Sequence, residues 1–123
     1  MRFAALIVLP LVGCAHPEPY ATAHHDNELA GRAAGAPERC ILVEQSQAFR
    51  VADNDRHTLL YGSGKTVWAT HLAGMCGFSS DDILISQPWG AHHCRGDIIH
   101  SLEHGSQAPG PSCVLGDFVP YTR

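Results

Sequence analysis

The chain is short of positive charge. Eight Lys and Arg stand against twelve Asp and Glu among 123 residues, for a formal charge of −4. That balance excludes a nucleic-acid-binding module, which needs clustered Lys and Arg to displace counterions from phosphates. It also leaves no basic patch for anionic lipid headgroups. A spanning helix is excluded too: the apolar stretch Phe3 to Val12 is broken by Pro10 and falls far below the ~20 residues a bilayer core demands. Catalytic signatures are missing. No His-Glu-x-x-His pair and no nucleophile elbow occurs. "GSGKT" (62–66) carries Leu59 where a phosphate loop needs its first glycine. It is followed by strand-forming "TVWATH" rather than a helix, so no nucleotide is expected and the glycines read as a hairpin turn. "RGD" (95–97) reads as turn contacts or a local ion pair, of the kind that contributes ~0–1 kcal/mol.

What is present begins with the front end. Arg2, a short apolar region and small residues before Cys14 have the pattern of a secretory signal rather than of a buried helix. The stretch closes on Leu11-Val12-Gly13-Cys14, which resembles the lipobox of bacterial lipoproteins. The resemblance implies a lipid on the Cys14 thiol, cleavage that removes residues 1–13, and acylation of the new amino group. Several acyl chains hold a protein to a membrane where one binds only marginally, each buried methylene contributing ~0.8 kcal/mol. Position 15 is Ala, not the Asp that commonly retains such proteins at the inner membrane. By analogy the expectation is the outer membrane, with the domain facing the periplasm. Loss of Arg2 takes the formal charge from −4 to −5.

Four cysteines remain after Cys14: Cys40, Cys76, Cys94 and Cys113. An even number in an exported chain reads as two disulfides, not as free catalytic or metal-binding thiols. Three pairings are open, and sequence does not choose among them. The expectation adopted is the nested one, Cys40 with Cys113 and Cys76 with Cys94, tying the first strand to the last. Each bridge contributes ~2–4 kcal/mol, mainly by restricting the unfolded chain, which a single small domain needs.

Residues 14–37 read as a lipid-anchored flexible tether, rich in Ala, Pro and Gly and with almost no large apolar side chains to offset ordering. Their expected reach is ~25 Å, at 5–6 Å times the square root of length. Residues 38–123 read as the folded domain. "RHTLLYGSGKTVWATHL" is a hairpin around Gly62-Ser63-Gly64. "DDILIS" places Ile83 and Ile85 on one side, although "SSDDIL" also suits a short helix capped by Ser79 or Ser80. "GDIIHSL" sets Ile98, His100 and Leu102 on one face and Ile99 and Ser101 on the other. "SCVLGDFVPY" closes the chain as a strand that Pro120 should confine to an edge. The fold class expected is mainly β: a small antiparallel barrel or sandwich stapled by two disulfides.

The nine histidines are the oddity. His92, His93, His100 and His104 flank Cys94 and are weak candidates for holding zinc or copper. His24 and His25 lie in the tether. Their spacing argues against a site: His100 and His104 share a face only on a helix, and adjacent His92 and His93 diverge on a strand. No cofactor is expected beyond the acyl chains on Cys14. Hydrolase chemistry needs nucleophile, base and orienting group, and His57, His71, Ser63 and Asp81 give no pattern from which to assemble one. Trp68 and Trp89, with Tyr61, Phe78, Phe118 and Tyr121, line a groove or fill a core. Trp89, in the loop "QPWGAHH", is with His92 and His93 the favoured contact surface.

Five further pieces, "LAGRAAGAPERCI" (29–41), "CGF" (76–78), "DDILI" (81–85), "CRGDII" (94–99) and "CVLGDFVPY" (113–121), resemble a family of small Gram-negative envelope proteins without an assigned activity. "AHHC" and "HSLEH" depart from its pattern. The resemblance implies fold and location and carries over no catalytic residue. The expected function is a non-catalytic binding or structural module with an envelope-protein partner. Histidine-mediated metal capture is the alternative, and a small periplasmic enzyme the third reading.

Overall fold

Polar-apolar alternation in short runs gives short strands, and the computed structural model is all-β. It describes residues 28–88, 90–102 and 108–123, with Gly13; among them there is no helix. Ten strands form three antiparallel groups. A five-stranded sheet runs in the order β1 (Ala33–Ala34), β10 (Phe118–Thr122), β5 (Thr66–His71), β4 (Asp55–Tyr61), β3 (Arg50–Ala52). A ribbon pairs β2 (Cys40–Leu42) with β7 (His92–Cys94), and a three-stranded sheet orders β6 (Ile83–Ser86), β8 (Ile98–Leu102) and β9 (Pro109–Val114). The arrangement is sandwich-like, not a closed barrel.

The β4–β5 hairpin forms where the glycines predict it. Gly62 and Gly64 take φ of 88° and 81°, a region that residues with a Cβ rarely enter. Tyr61 pairs with Trp68 across the turn, and Trp68 pairs in turn with Pro120 of β10. These three side chains therefore share the inner face of the large sheet with Leu59 and Phe118. The main core joins that face to Ile41 of the ribbon, Ile99 and Cys113 of the small sheet, and Phe49, Leu72, Phe78 and Leu115. Alternation in "GDIIHSL" is as expected. Ile99 and Ser101 are buried, while Ile98 looks outward beside Ile83, Ile85 and Val114. "SSDDIL" makes a turn rather than a helix: the Ser79 amide donates to Asp82 Oδ2 at 2.9 Å, and the Asp82 amide returns to the Ser79 carbonyl at 3.0 Å.

Three expectations are corrected. The cysteines pair Cys40–Cys94 and Cys76–Cys113, so the bridges cross in sequence instead of nesting. Register decides it. β2 and β7 run antiparallel with Cys40 directly opposite Cys94, while Cys113 sits in another sheet, on β9 opposite Ile99 of β8. The last cysteine is not on the last strand, so the premise of nesting fails. The folded unit also begins before residue 38. Leu29 is 4% exposed and joins Leu60, Val67, Ala69, Val119 and Tyr121 on the outer face of the large sheet, a burial worth ~1.5–3 kcal/mol. Ala33 and Ala34 pair with Thr122 and Tyr121, and Arg50 forms an ion pair with Glu28. Residues 28–37 thus belong to the domain. Finally, β10 is not an edge: β1 and β5 flank it. Its proline is tolerated because the Pro120 carbonyl accepts from Gly35 on the β1 side. The missing N–H faces the same side, where the partner strand has already ended.

Candidate functional site

Between the ribbon and the β4–β5 hairpin of the large sheet lies a cleft of about 460 Å³. Trp68 forms its floor, half-buried between its cross-strand neighbours Tyr61 and Pro120. The β2 segment from Glu38 to Glu44 makes one wall, and Ser63, Lys65 and Thr66 of the hairpin make the other. His92 of β7 reaches the rim. Two carboxylate residues and one lysine thus line the cleft beside an indole. The wall is fixed at both ends. Glu38 exchanges two backbone hydrogen bonds with Phe118, at 2.7 and 2.8 Å. The Tyr61 hydroxyl accepts from the Glu44 amide at 2.8 Å and donates to its carbonyl at 3.2 Å. The rim is braced from behind: Arg50 donates to the Gly62 carbonyl at 2.8 Å and Arg32 to the Lys65 carbonyl at 3.0 Å.

The histidines scatter. His92 and His93 point to opposite sides of the ribbon, as adjacent strand residues must. His93 is therefore no part of a contact surface, a correction of the sequence reading. It is 4% exposed and packed edge-on against Phe49 and Tyr61, with ring centroids 4.8 and 5.2 Å away. Its Nδ1 is buried without a hydrogen-bond partner. Burial drives its pKa below the usual 6.5, Asp97 opposing weakly. His100 lies on the outer face of the small sheet, its Nδ1 2.6 Å from Ser112 Oγ. Among the described residues no group of three His, Cys, Asp or Glu is placed to hold a metal ion. Cys14, Trp89, His24, His25 and His104 lie outside the described residues.

One side-chain chain looks catalytic at first sight. Thr58 Oγ1 lies 2.7 Å from Asp55 Oδ2 and 3.3 Å from His71 Nδ1. An ionised carboxylate only accepts, so the Thr58 proton goes to Asp55 and His71 Nδ1 must donate to the hydroxyl. That polarity is the reverse of an activated nucleophile, which gives its proton to the imidazole. Although burial opposes ionisation, the Thr58 hydroxyl and the His57 amide hold the Asp55 carboxyl below its ordinary 3.8. The chain staples the β3–β4 turn. His57 is spent elsewhere, with Nδ1 2.8 Å from the Cys76 carbonyl. "RGD" is a turn: the Cys94 amide donates to Asp97 Oδ2 at 2.8 Å, and Arg95 pairs with Asp117 at 3.3 Å.

Of the aromatic residues weighed as groove or core, Phe78 and Phe118 are core, Tyr121 belongs to the outer cluster, and Trp68 lines the cleft together with Tyr61, which is otherwise part of the core. Glu38, Glu44 and Lys65 carry no sequence signal. They become neighbours only through the Glu38–Phe118 bridge and the Tyr61 hydroxyl. No protein-family model, curated protein or solved structure matches this chain.

Proposed function

We propose that this protein is a lipid-anchored module of the bacterial cell envelope that binds a partner non-catalytically through the Trp68 cleft. The observation that carries the reading is the half-buried indole left open between Glu38, Glu44 and Lys65. A large aromatic side chain with one polar end is what binding surfaces use for anchoring. The "LVGC" segment supports acylation at Cys14, the disulfides suit an oxidising compartment, and "CRGDII" and "CVLGDFVPY" support an envelope location by resemblance. The segment between Cys14 and Glu28 then holds the domain ~20 Å from the anchor, at 5–6 Å times the square root of length.

The test is photo-crosslinking in the native host, with Ser63 on the cleft wall replaced by a photoreactive residue. A discrete adduct that disappears with Trp68→Ala is the expected result. No adduct, or one indifferent to Trp68→Ala, would remove the cleft from consideration. Anchoring is checked separately: the mature protein carries acyl mass on Cys14, and Cys14→Ser releases it from the membrane fraction.

A further inference from the structure

One wall of the cleft is an unfinished strand edge. In an antiparallel pair, alternate residues direct both backbone groups toward the partner and the rest direct theirs away. The Arg95 amide donates to the Arg39 carbonyl and the Val43 amide to the Ala91 carbonyl, both at 2.8 Å. Residues 39, 41 and 43 therefore face β7, and residues 38, 40, 42 and 44 face the other way. On that side Glu38 is bonded to Phe118 and Glu44 to the Tyr61 hydroxyl. Between them, the amides and carbonyls of Cys40 and Leu42 have no backbone partner among the described residues. Cys40, Ile41 and Leu42 all line the cleft, so it is the edge itself that borders the space.

Exposed edges are normally blunted by Lys, Pro, a bulge or a covering loop; "CIL" carries no lysine or proline and pairs with β7 in continuous register. We propose that this edge takes up an extended peptide segment of a partner protein. The segment adds as a strand along Cys40–Leu42 and carries a Lys or Arg whose side chain lies over Trp68 between Glu38 and Glu44. The proposal rests on the reading of the cleft as a binding site and names its ligand class. Two donors and two acceptors, two residues apart, match the repeat of an added strand. Tryptophan offers the strongest cation–π face among the aromatics, and two carboxylates against one ammonium leave the lining acidic. The chain's own residues 15–27, "AHPEPYATAHHDN", suit the site badly: they include Pro17, Pro19, Glu18 and Asp26 and no Lys or Arg.

The experiment is amide hydrogen exchange on the full-length acylated protein in detergent, with blocked pentapeptides as probes: Thr-Val-Lys-Val-Thr, and the same peptide with Glu at its centre. In the free protein the Cys40 and Leu42 amides should exchange much faster than those of Ile41 and Val43. The Lys peptide should slow them at least tenfold, and the Glu peptide should bind at least tenfold more weakly. Leu42→Pro removes an N–H that the protein's own ladder does not use, so it should keep the unfolding midpoint and weaken the Lys peptide at least tenfold. Trp68→Ala should erase the preference for Lys over Glu. Strand addition is overturned if the Lys peptide leaves both amides unprotected or if Leu42→Pro binds as well as wild type. It is also overturned if the amides are already slow in the free protein and deletion of residues 15–27 speeds them, which would give the edge to the chain's own leader. A Ser63 crosslink that survives those failures retains the cleft and rejects the ligand class; loss of both rejects both.

Discussion

The two walls that meet at the cleft are held by different physics. The five-stranded sheet is buried on both faces, by the main core within and the Leu29 cluster without, and no disulfide lies inside it. The β2–β7 ribbon has two strands of three residues. One face reaches the core through Ile41 and His93, and the other leaves Leu42 65% exposed. A two-stranded ribbon of that size is at best marginally stable alone. Its register is fixed covalently, by Cys40–Cys94 placed at directly opposed positions. Packing makes the platform under Trp68; a crosslink holds the edge in front of it. A wall held this way can keep backbone groups unpaired, which a wall held by its own ladder cannot.

Disturbing the platform should have the largest effect. Phe118 is fully buried, pairs with Thr70 and bridges to Glu38. Phe118→Ala should lower stability by about 3–5 kcal/mol in denaturant melts, and should loosen the ribbon as well because its Ile41 belongs to the same core cluster. Next comes the crosslink. Replacing Cys40 and Cys94 together by Ser should cost about 2–4 kcal/mol. Hydrogen exchange distinguishes it from the first: the Ile41 and Val43 amides should speed up well before those of Leu59 or Thr70. Uniform acceleration across both regions would show that the ribbon is not a separately held unit.

Much of the platform was legible in the sequence and little of the ribbon. "TLLYGSGKTVWATHL" announces its hairpin because turn chemistry and alternation are local. "GDIIHSL" likewise declares which isoleucine is inside. The crossed disulfides were not readable, because pairing depends on β2 lying beside β7, which are far apart in the chain, and no local pattern encodes that register. Pro120 signals an edge, yet it lies inside a sheet because its neighbour ends before the missing N–H is needed. The place of residues 28–37 in the domain was hidden by an alanine-rich composition in which a single residue, Leu29, does the burying. Trp89 attracted notice by its loop, whereas Trp68, in a strand, looked like core. Its partial exposure follows from the cleft between ribbon and hairpin, which only the assembled fold displays.

A smaller effect should come from the ribbon's inner face. Burial there pushes the His93 pKa below its ordinary 6.5, with the Asp97 carboxylate opposing the shift. A histidine whose folded pKa lies below its unfolded value contributes no pH dependence above 6.5. It costs stability as pH falls from there toward the folded value, because the unfolded chain takes up the proton first. His93→Phe should flatten that slope in chemical denaturation measured from pH 8 to pH 5. Relief of the unpartnered Nδ1 should also raise stability at neutral pH by about 1–3 kcal/mol. An unchanged slope would mean that the acid sensitivity arises outside the ribbon.

The smallest expected effect tests the ribbon's outer face. Leu42 and Ile41 are adjacent aliphatic residues of similar size, but one is open to solvent and the other is in the core. If the ribbon stands as described, Leu42→Ala should shift stability by no more than ~0.5 kcal/mol, while Ile41→Ala should cost about 2–5 kcal/mol. The Leu42 backbone amide is untouched by this change, so strand addition at the edge should survive it, unlike the proline substitution at the same position. A loss above ~1 kcal/mol at Leu42 would mean that something covers this face in the native protein. The ribbon would then resemble the large sheet in being held by burial on both sides, and the contrast between the two walls would disappear.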